Sequence, residues 1–252
     1  MHSEPDAPAR IALLEAQVAQ LQRELQDFTY TVSHDLRAPL RHIVSFAKLV
    51  QLESAEQLNA EAQGFLANVV DSAALMGRML DGVLALSRVG SAPSNPQPVA
   101  LQTVLQAAAG AVQARYPGRT VDWQCASDLP PLCTDAALLQ QALTELLDNA
   151  WKFTAQTAQA QVALEVDSLD NGIRLRLRDN GAGFATQQAE RLGLPFVRLH
   201  SAQQFPGIGL GLALARKCVQ RLGGALQLQS AGAQQGCTVV LELQHLPASG
   251  LL

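Results

Sequence analysis

The chain has 252 residues, a formal net charge of −4, 48% apolar residues and only 16% charged ones. That apolar content builds cores and excludes a wholly disordered chain, and the mild acidity excludes the basic face that nonspecific nucleic-acid binding requires. No apolar run reaches the roughly 18 residues of a membrane span, and the start, MHSEPDAPAR, lacks the basic and apolar pattern of a secretion signal. A soluble, cytoplasmic protein of one large domain or two modest ones is expected. Four cysteines (Cys125, Cys133, Cys218, Cys237) form no CxxC pair and read as buried free thiols.

Ile11, Leu14, Val18, Leu21, Leu25 and Phe28 alternate steps of three and four, an a/d seam that suits pairing with a second helix of the same kind. From Phe28 to Leu40 the apolar steps are all four, so the register stutters, and Pro39 in that stretch predicts a bend. A polar turn near 53–60 leads into a second helical pattern through Phe65, Val69, Ala73, Met76, Leu80 and Val83. Two such hairpins paired across the seam make a four-helix bundle. Three prolines and a glycine within 90–98 predict a linker.

Beyond it the pattern becomes mixed. Strands are expected at Thr120–Cys125, Gln161–Val166, Gly172–Arg178, Ala225–Gln229 and Cys237–Leu243, and helices at about 101–115, 135–152 and 209–222. Ile173, Leu175 and Leu177 alternate with Arg174, Arg176 and Arg178, the mark of a half-buried strand.

Four constellations carry chemistry. In Ser33-His34-Asp35-Leu36-Arg37-Ala38-Pro39, if Val32 and Leu36 face the bundle core, His34 lies about 200° around the helix and points to solvent. Asp35 can hold one ring nitrogen protonated and leave the other lone pair free to attack. Standing alone, the pair reads better as an ordinary surface histidine. Glu145, Asn149 and Lys152 share one helix face, a set that suits Mg²⁺ and phosphate oxygens but also describes a solvated polar stripe. Asp179-Asn180-Gly181-Ala182-Gly183-Phe184 follows a strand, where a carboxylate can accept a bond from an exocyclic amine; alone, it is more often just a turn. Gly207, Gly209 and Gly211 open a helix whose free N–H groups make an anion site, although the spacing matches neither a dinucleotide fingerprint nor a P-loop.

In this order the four motifs resemble the core of a bacterial two-component sensor histidine kinase, over about residues 26–244. SHDLRAPLR resembles the H box, ELLDNAWKF the N box, DNGAGF the G1 box and GIGLGLALARK the G2 box. The segment from Pro195 to His200 and the run Phe205-Pro206-Gly207 look closest to kinases associated with phytochrome-type sensors. The resemblance implies an α+β fold: a dimeric helical hairpin forming a four-helix bundle, then a GHKL α/β sandwich that binds ATP. Its expected parts are a tail and coiled-coil signalling helix (1–28), the dimerisation and phosphotransfer hairpin (29–89), the linker (90–98), the ATP domain (99–246) and a tail (247–252).

By the same resemblance His34 takes the γ-phosphoryl group of ATP, with Asp35 orienting or deprotonating the ring. Asn149 ligates Mg²⁺, Glu145 supports its water shell and Lys152 contacts phosphate. Asp179 reads the adenine amine, and Gly181 and Gly183 admit the base. Residues of about 184–206 form a lid, with Arg198 and His200 as phosphate contacts, and Gly207, Gly209 and Gly211 close over the phosphates. The implied partners are a second copy, the receiver domain of a response regulator, and an upstream sensor domain or protein. Two residues depart from the pattern. Glu145 stands where many relatives have Asn. Ala38 stands where many carry Thr or Asn to orient water for dephosphorylating the partner, a task for which a methyl group has no chemistry.

Overall fold

The computed structural model describes residues 7–91, 94–127, 129–201 and 203–246; the 247–252 tail lies outside them. The chain divides into two units, residues 1–92 and 93–252.

The first unit is a hairpin of two long helices, α1 (Ala7–Glu53) and α2 (Ala60–Ser91), joined by the expected polar turn. The seam of the first 28 residues and the H-box segment belong to one unbroken helix, which continues through Pro39. Ser33, Leu40 and Ala47, spaced by seven, are buried on α1, and Arg37 on the same face bonds Asp81 of α2 at 2.5 Å. Within one hairpin Val32 and Leu36 are 37% and 46% exposed, and Ser33 takes the place against α2. The reason is that α1 carries two apolar stripes, one toward α2 and one through Phe28, Val32, Leu36 and Ile43 that its own chain leaves open. Apolar spacing alone merges the two.

The linker is shorter than its prolines suggest. Helix α2 runs on through Gly90 and Ser91, and Gln97–Val99 forms a strand, β1, that pairs antiparallel with β3 (Leu132–Thr134). Three residues per strand are too few for alternation to register, which is why the sequence hides this small sheet.

The second unit is an α/β sandwich. Its five-stranded sheet has the order β2-β4-β5-β7-β6, built from Asp122–Cys125, Gln161–Leu169, Gly172–Asp179, Cys237–Gln244 and Ala225–Gln229. Strand β2 runs parallel to β4 and the other pairs are antiparallel. One face of the sheet is apolar: Val162, Leu164, Ile173, Leu175, Leu177, Val239, Leu241 and Leu243 are buried. The opposite face is charged, with Arg174 paired to Glu242, and Arg176 to Glu165 and Asp167. The expected alternation in β5 therefore sorts its side chains between core and solvent. Helices α3 (Leu101–Arg115), α4 (Ala136–Phe153) and α5 (Gly211–Arg221) complete the sandwich, with α4 between the other two. Of the four free cysteines only Cys218 is buried; the other three are half-buried, because each stands at a strand end or in a short strand.

Helix α4 carries much of the candidate site, and its start is fixed by Asp135. One carboxylate oxygen accepts from the N–H groups of Ala137 and Leu138 at 3.0 and 3.1 Å, and the other from Asn95 N at 2.9 Å. Asp135→Ala is expected to cost about 1–2 kcal/mol, read as a lower urea midpoint at unchanged slope.

Candidate functional site

His34 lies on the exposed surface of α1, with its side chain 70% accessible. Its Nδ1 is 3.1 Å from Asp35 Oδ1, and its ring stacks on Tyr30 one turn earlier, at 6.4 Å between centroids and 23° between planes. A carboxylate only accepts, so the contact favours a proton on Nδ1 and leaves the Nε2 lone pair outward. Tyr30 was not singled out by the sequence; its signal is the i,i+4 spacing from His34.

The second unit gathers the other motifs. On α4, Lys152 Nζ donates to Asn149 Oδ1 at 2.7 Å and sits over the Phe153 ring at 4.8 Å. Glu145 points at the start of α5: a Cβ added to Gly211 would lie 2.7 Å from Glu145 Oε2 and 3.8 Å from Asn149 Nδ2. Leu210, the N-cap of α5, has no side-chain acceptor, so the first N–H groups of the helix stay free for an anion. A Cβ on Gly207 would lie 3.6 Å from Lys152 Nζ, which places the glycine loop beside the ammonium. Burial lowers the Lys152 pKa and raises that of Glu145, an effect that Asp148 reinforces for Glu145 and opposes for Lys152. Both groups thus sit where a bound ion of opposite sign relieves a desolvation cost.

Asp179 closes β5 and is buried. Its Oδ1 accepts from Gly181 N at 2.9 Å, and the carboxylate also accepts from the backbone of Cys237, its cross-strand partner. Burial outweighs those two bonds and pushes its pKa up to about 6. No side chain fits at Gly181, where a Cβ would come within 2.5 Å of Phe153 O, nor at Gly183, with φ +56° and Gly232 O at 2.3 Å. Ser230 holds this loop by accepting from Phe184 N at 3.1 Å while donating toward the carbonyls of Gly232 and Gly236.

The segment from Ala185 contains a short 3₁₀ helix, Thr186–Arg191. Its two named residues are committed to protein groups. Arg198 donates from Nη1 to Gly207 O and from Nη2 to Phe205 O, both at 2.6 Å. His200 Nε2 lies 3.1 Å from Gly183 O, and its ring packs against Phe153 and Phe205. Phe153, Phe205 and Ser230 are site residues the sequence did not single out. The two phenylalanines stand inside motif segments, whereas nothing local marks Ser230.

The donor set bears on Mg²⁺. Among the described residues no group of three His, Cys, Asp or Glu side chains could hold a metal ion. Mg²⁺ commonly takes one or two protein oxygens and completes its shell with phosphates and water. Asn149 Oδ1, which here already faces an ammonium, and the nearby Glu145 carboxylate fit that demand.

Two family models match in sequence order: "His Kinase A (phospho-acceptor) domain" over residues 24–92 and "Histidine kinase-, DNA gyrase B-, and HSP90-like ATPase" over residues 134–247. The chain is 30% identical over 207 residues to cyanobacterial phytochrome A of Nostoc sp. (strain PCC 7120), covering 82% of this chain and 27% of that protein. It is 26% identical over 220 residues to phytochrome-like protein Cph1 of Synechocystis sp. (strain PCC 6803), covering 87% and 29%. It thus spans under a third of the length of either relative. Among solved structures, full-length ShkA in complex with AMPPNP aligns with a TM-score of 0.63 and 27% identity, over 89% of this chain and 47% of that one. With a phosphoacceptor hairpin and a GHKL-type ATPase domain in that order, the chain belongs to the sensor histidine kinase family.

Proposed function

We propose that the protein is an ATP-dependent histidine kinase that phosphorylates itself on His34 and passes the phosphoryl group to an aspartate of a response regulator. The observation that carries this reading is the exposed His34 imidazole with Nδ1 held by Asp35, in a chain that also gathers Glu145, Asn149, Lys152 and Asp179 into one nucleotide-type site.

In the reaction the Nε2 lone pair of His34 attacks the γ-phosphorus of ATP. The bond to the β–γ bridging oxygen breaks, and ADP leaves with that electron pair. Asp35 stabilises the positive charge that develops on the ring, or takes the Nδ1 proton. Asp179 accepts from the adenine amine, Gly181 and Gly183 leave room for the base, and Lys152 and the free N–H groups of α5 hold phosphate oxygens. Gly207, Gly209 and Gly211 let the backbone approach them. Asn149 would hold Mg²⁺, with Glu145 supporting its water shell, and the ion would supply neutralisation of phosphate charge. Positioning and charge neutralisation are most of what phosphoryl transfer needs.

The open stripe through Phe28, Val32, Leu36 and Ile43 is an apolar surface that a second copy would cover, and it supports a homodimeric four-helix bundle. An upstream sensor domain or protein would act on this helix, and a cytoplasmic location fits ATP as substrate. Among the described residues no helix is long and apolar enough to cross a membrane. Ala38 offers no water-orienting group, so dephosphorylation of the regulator by that route is not expected.

Incubation with Mg-ATP labelled on the γ-phosphate tests the reading. The protein is expected to take up an acid-labile, alkali-stable phosphate, and then to pass it to a receiver domain in a screen of the host's response regulators. Nucleotide affinity should also depend on pH. The adenine amine bonds best to an ionised Asp179, whose pKa in the free protein is about 6. Affinity is therefore flat above that value and falls below it, by up to about tenfold per pH unit, as calorimetry with ADP would show. Stability of the free protein runs the other way. Asp179 ionises less readily folded than unfolded, so its contribution becomes unfavourable as pH rises from 3.8 to about 6 and is constant above.

A further inference from the structure

Among the described residues, three side-chain attachments fasten the segment between the 3₁₀ helix and the glycine loop, beside the backbone bond from Phe196 N to Gly209 O at 3.0 Å. Arg198 ties the carbonyls of Phe205 and Gly207, and His200 makes the other two. The His200 ring lies 5.5 Å from the Phe153 ring and 5.2 Å from Phe205, while Phe153 and Phe205 meet edge to face at 5.1 Å. Phe205 is only 3% exposed, so the three rings form a small packed cluster rather than a surface contact. The third attachment is the 3.1 Å contact from His200 Nε2 to Gly183 O. A carbonyl oxygen can only accept, so Nε2 carries the hydrogen, and that nitrogen is taken up by protein rather than offered to an anion. Its acceptor is firmly placed: at φ +56°, with Gly232 O where a Cβ would go, Gly183 has little freedom to turn.

We propose that His200 is a positioning residue that pins this segment to the base-binding loop and to the end of α4, acting on the nucleotide through Gly183 and Phe153 instead of touching phosphate. The inference rests on the nucleotide reading for its effect on binding, but the pin itself exists without nucleotide. Its two anchors matter because Gly183 follows Asp179 by four residues and Phe153 follows Lys152 directly. One imidazole therefore couples the base end of the site to its phosphate end, and loosening it should weaken both together.

The test has one arm without nucleotide and one with it, on the full chain. In the nucleotide-free protein, His200→Ala should speed amide hydrogen exchange of residues 194–201 by about tenfold, from the lost bond and ring contacts. His200→Phe keeps the ring packing and lacks the donor, so its exchange should fall between wild type and His200→Ala; if the alanine variant fails to fold, this variant carries the comparison. In the second arm, His200→Ala should weaken adenosine and ATP by the same factor, again about tenfold. Unchanged exchange in both variants would overturn the pin. So would a loss of ATP affinity with adenosine affinity intact, which marks a direct phosphate contact. If the wild-type protein binds neither adenosine nor ATP, the nucleotide reading fails, and the exchange arm alone decides for or against the pin.

Discussion

Replacing His34 by Gln removes all ATP-derived phosphate from the protein while leaving nucleotide affinity and stability unchanged. The loss should be about 100-fold or more, because the amide has no lone pair able to displace ADP. Stability should stay within about 0.5 kcal/mol, since the side chain is 70% accessible and its bond to Asp35 lies in solvent. The comparison needs both readouts. Phosphate uptake by filter binding measures the chemistry, and calorimetric ADP affinity shows that the second unit still works. A variant that retains label places the phosphoacceptor elsewhere. A variant that loses ADP binding as well shows that the two motifs are not separable in the way two compact units imply.

The second large effect is expected at Asp179. In Asp179→Asn one carboxylate oxygen becomes an NH₂ group, in a place where the N–H groups of Gly181 and Cys237 already converge. Two donors then compete for one oxygen, and the adenine amine meets a donor or loses its charged acceptor. Charge-assisted bonds of this kind are worth about 1.5–3 kcal/mol, so ADP affinity should fall about 100-fold. The drop below pH 6 expected of the wild type should vanish with it, because the titrating group is gone. A residual affinity that still bends near that pH would assign the titration to another residue. Phosphate uptake on His34 should fall in parallel at low ATP and recover in part at high ATP, the pattern of lost binding rather than lost chemistry.

How much of this was legible in the sequence depended on length and on partners. Strand β5 could be read because eight residues alternate, with Ile173, Leu175 and Leu177 turned to the core and Arg174 and Arg176 to acidic neighbours. The ranges expected for helices α3 and α4, about 101–115 and 135–152, agree with the structure to within one residue. Strand β1 was hidden because Pro98 sits in its middle and pairs with Cys133 of β3, far along the chain, a pairing no local pattern announces. The face of α1 that packs on α2 was hidden for another reason: Ser33 is small and polar yet buried there, while the larger Val32 and Leu36 lie on the second apolar stripe. In the site, Asp179 and the glycines read alone as a turn and a loop, and only the resemblance implied nucleotide roles for them. The commitment of Arg198 and His200 to protein carbonyls was not legible, since their acceptors belong to Phe205, Gly207 and Gly183 and depend on how the loops fold back. Ser230 shows the same limit: its acceptors lie in the β6–β7 connection, while its donor, Phe184 N, comes from the loop after β5.

The most direct test of the central claim is localisation of the phosphate. The wild-type protein is incubated with Mg-ATP, digested at alkaline pH to preserve phosphoramidates, and its peptides are sequenced by mass spectrometry. A single modified residue is expected, His34, with phosphate on the ring nitrogen that Asp35 leaves free. Phosphate on Ser33, Asp35 or His42, or no phosphate on a protein that demonstrably binds ADP, would contradict it.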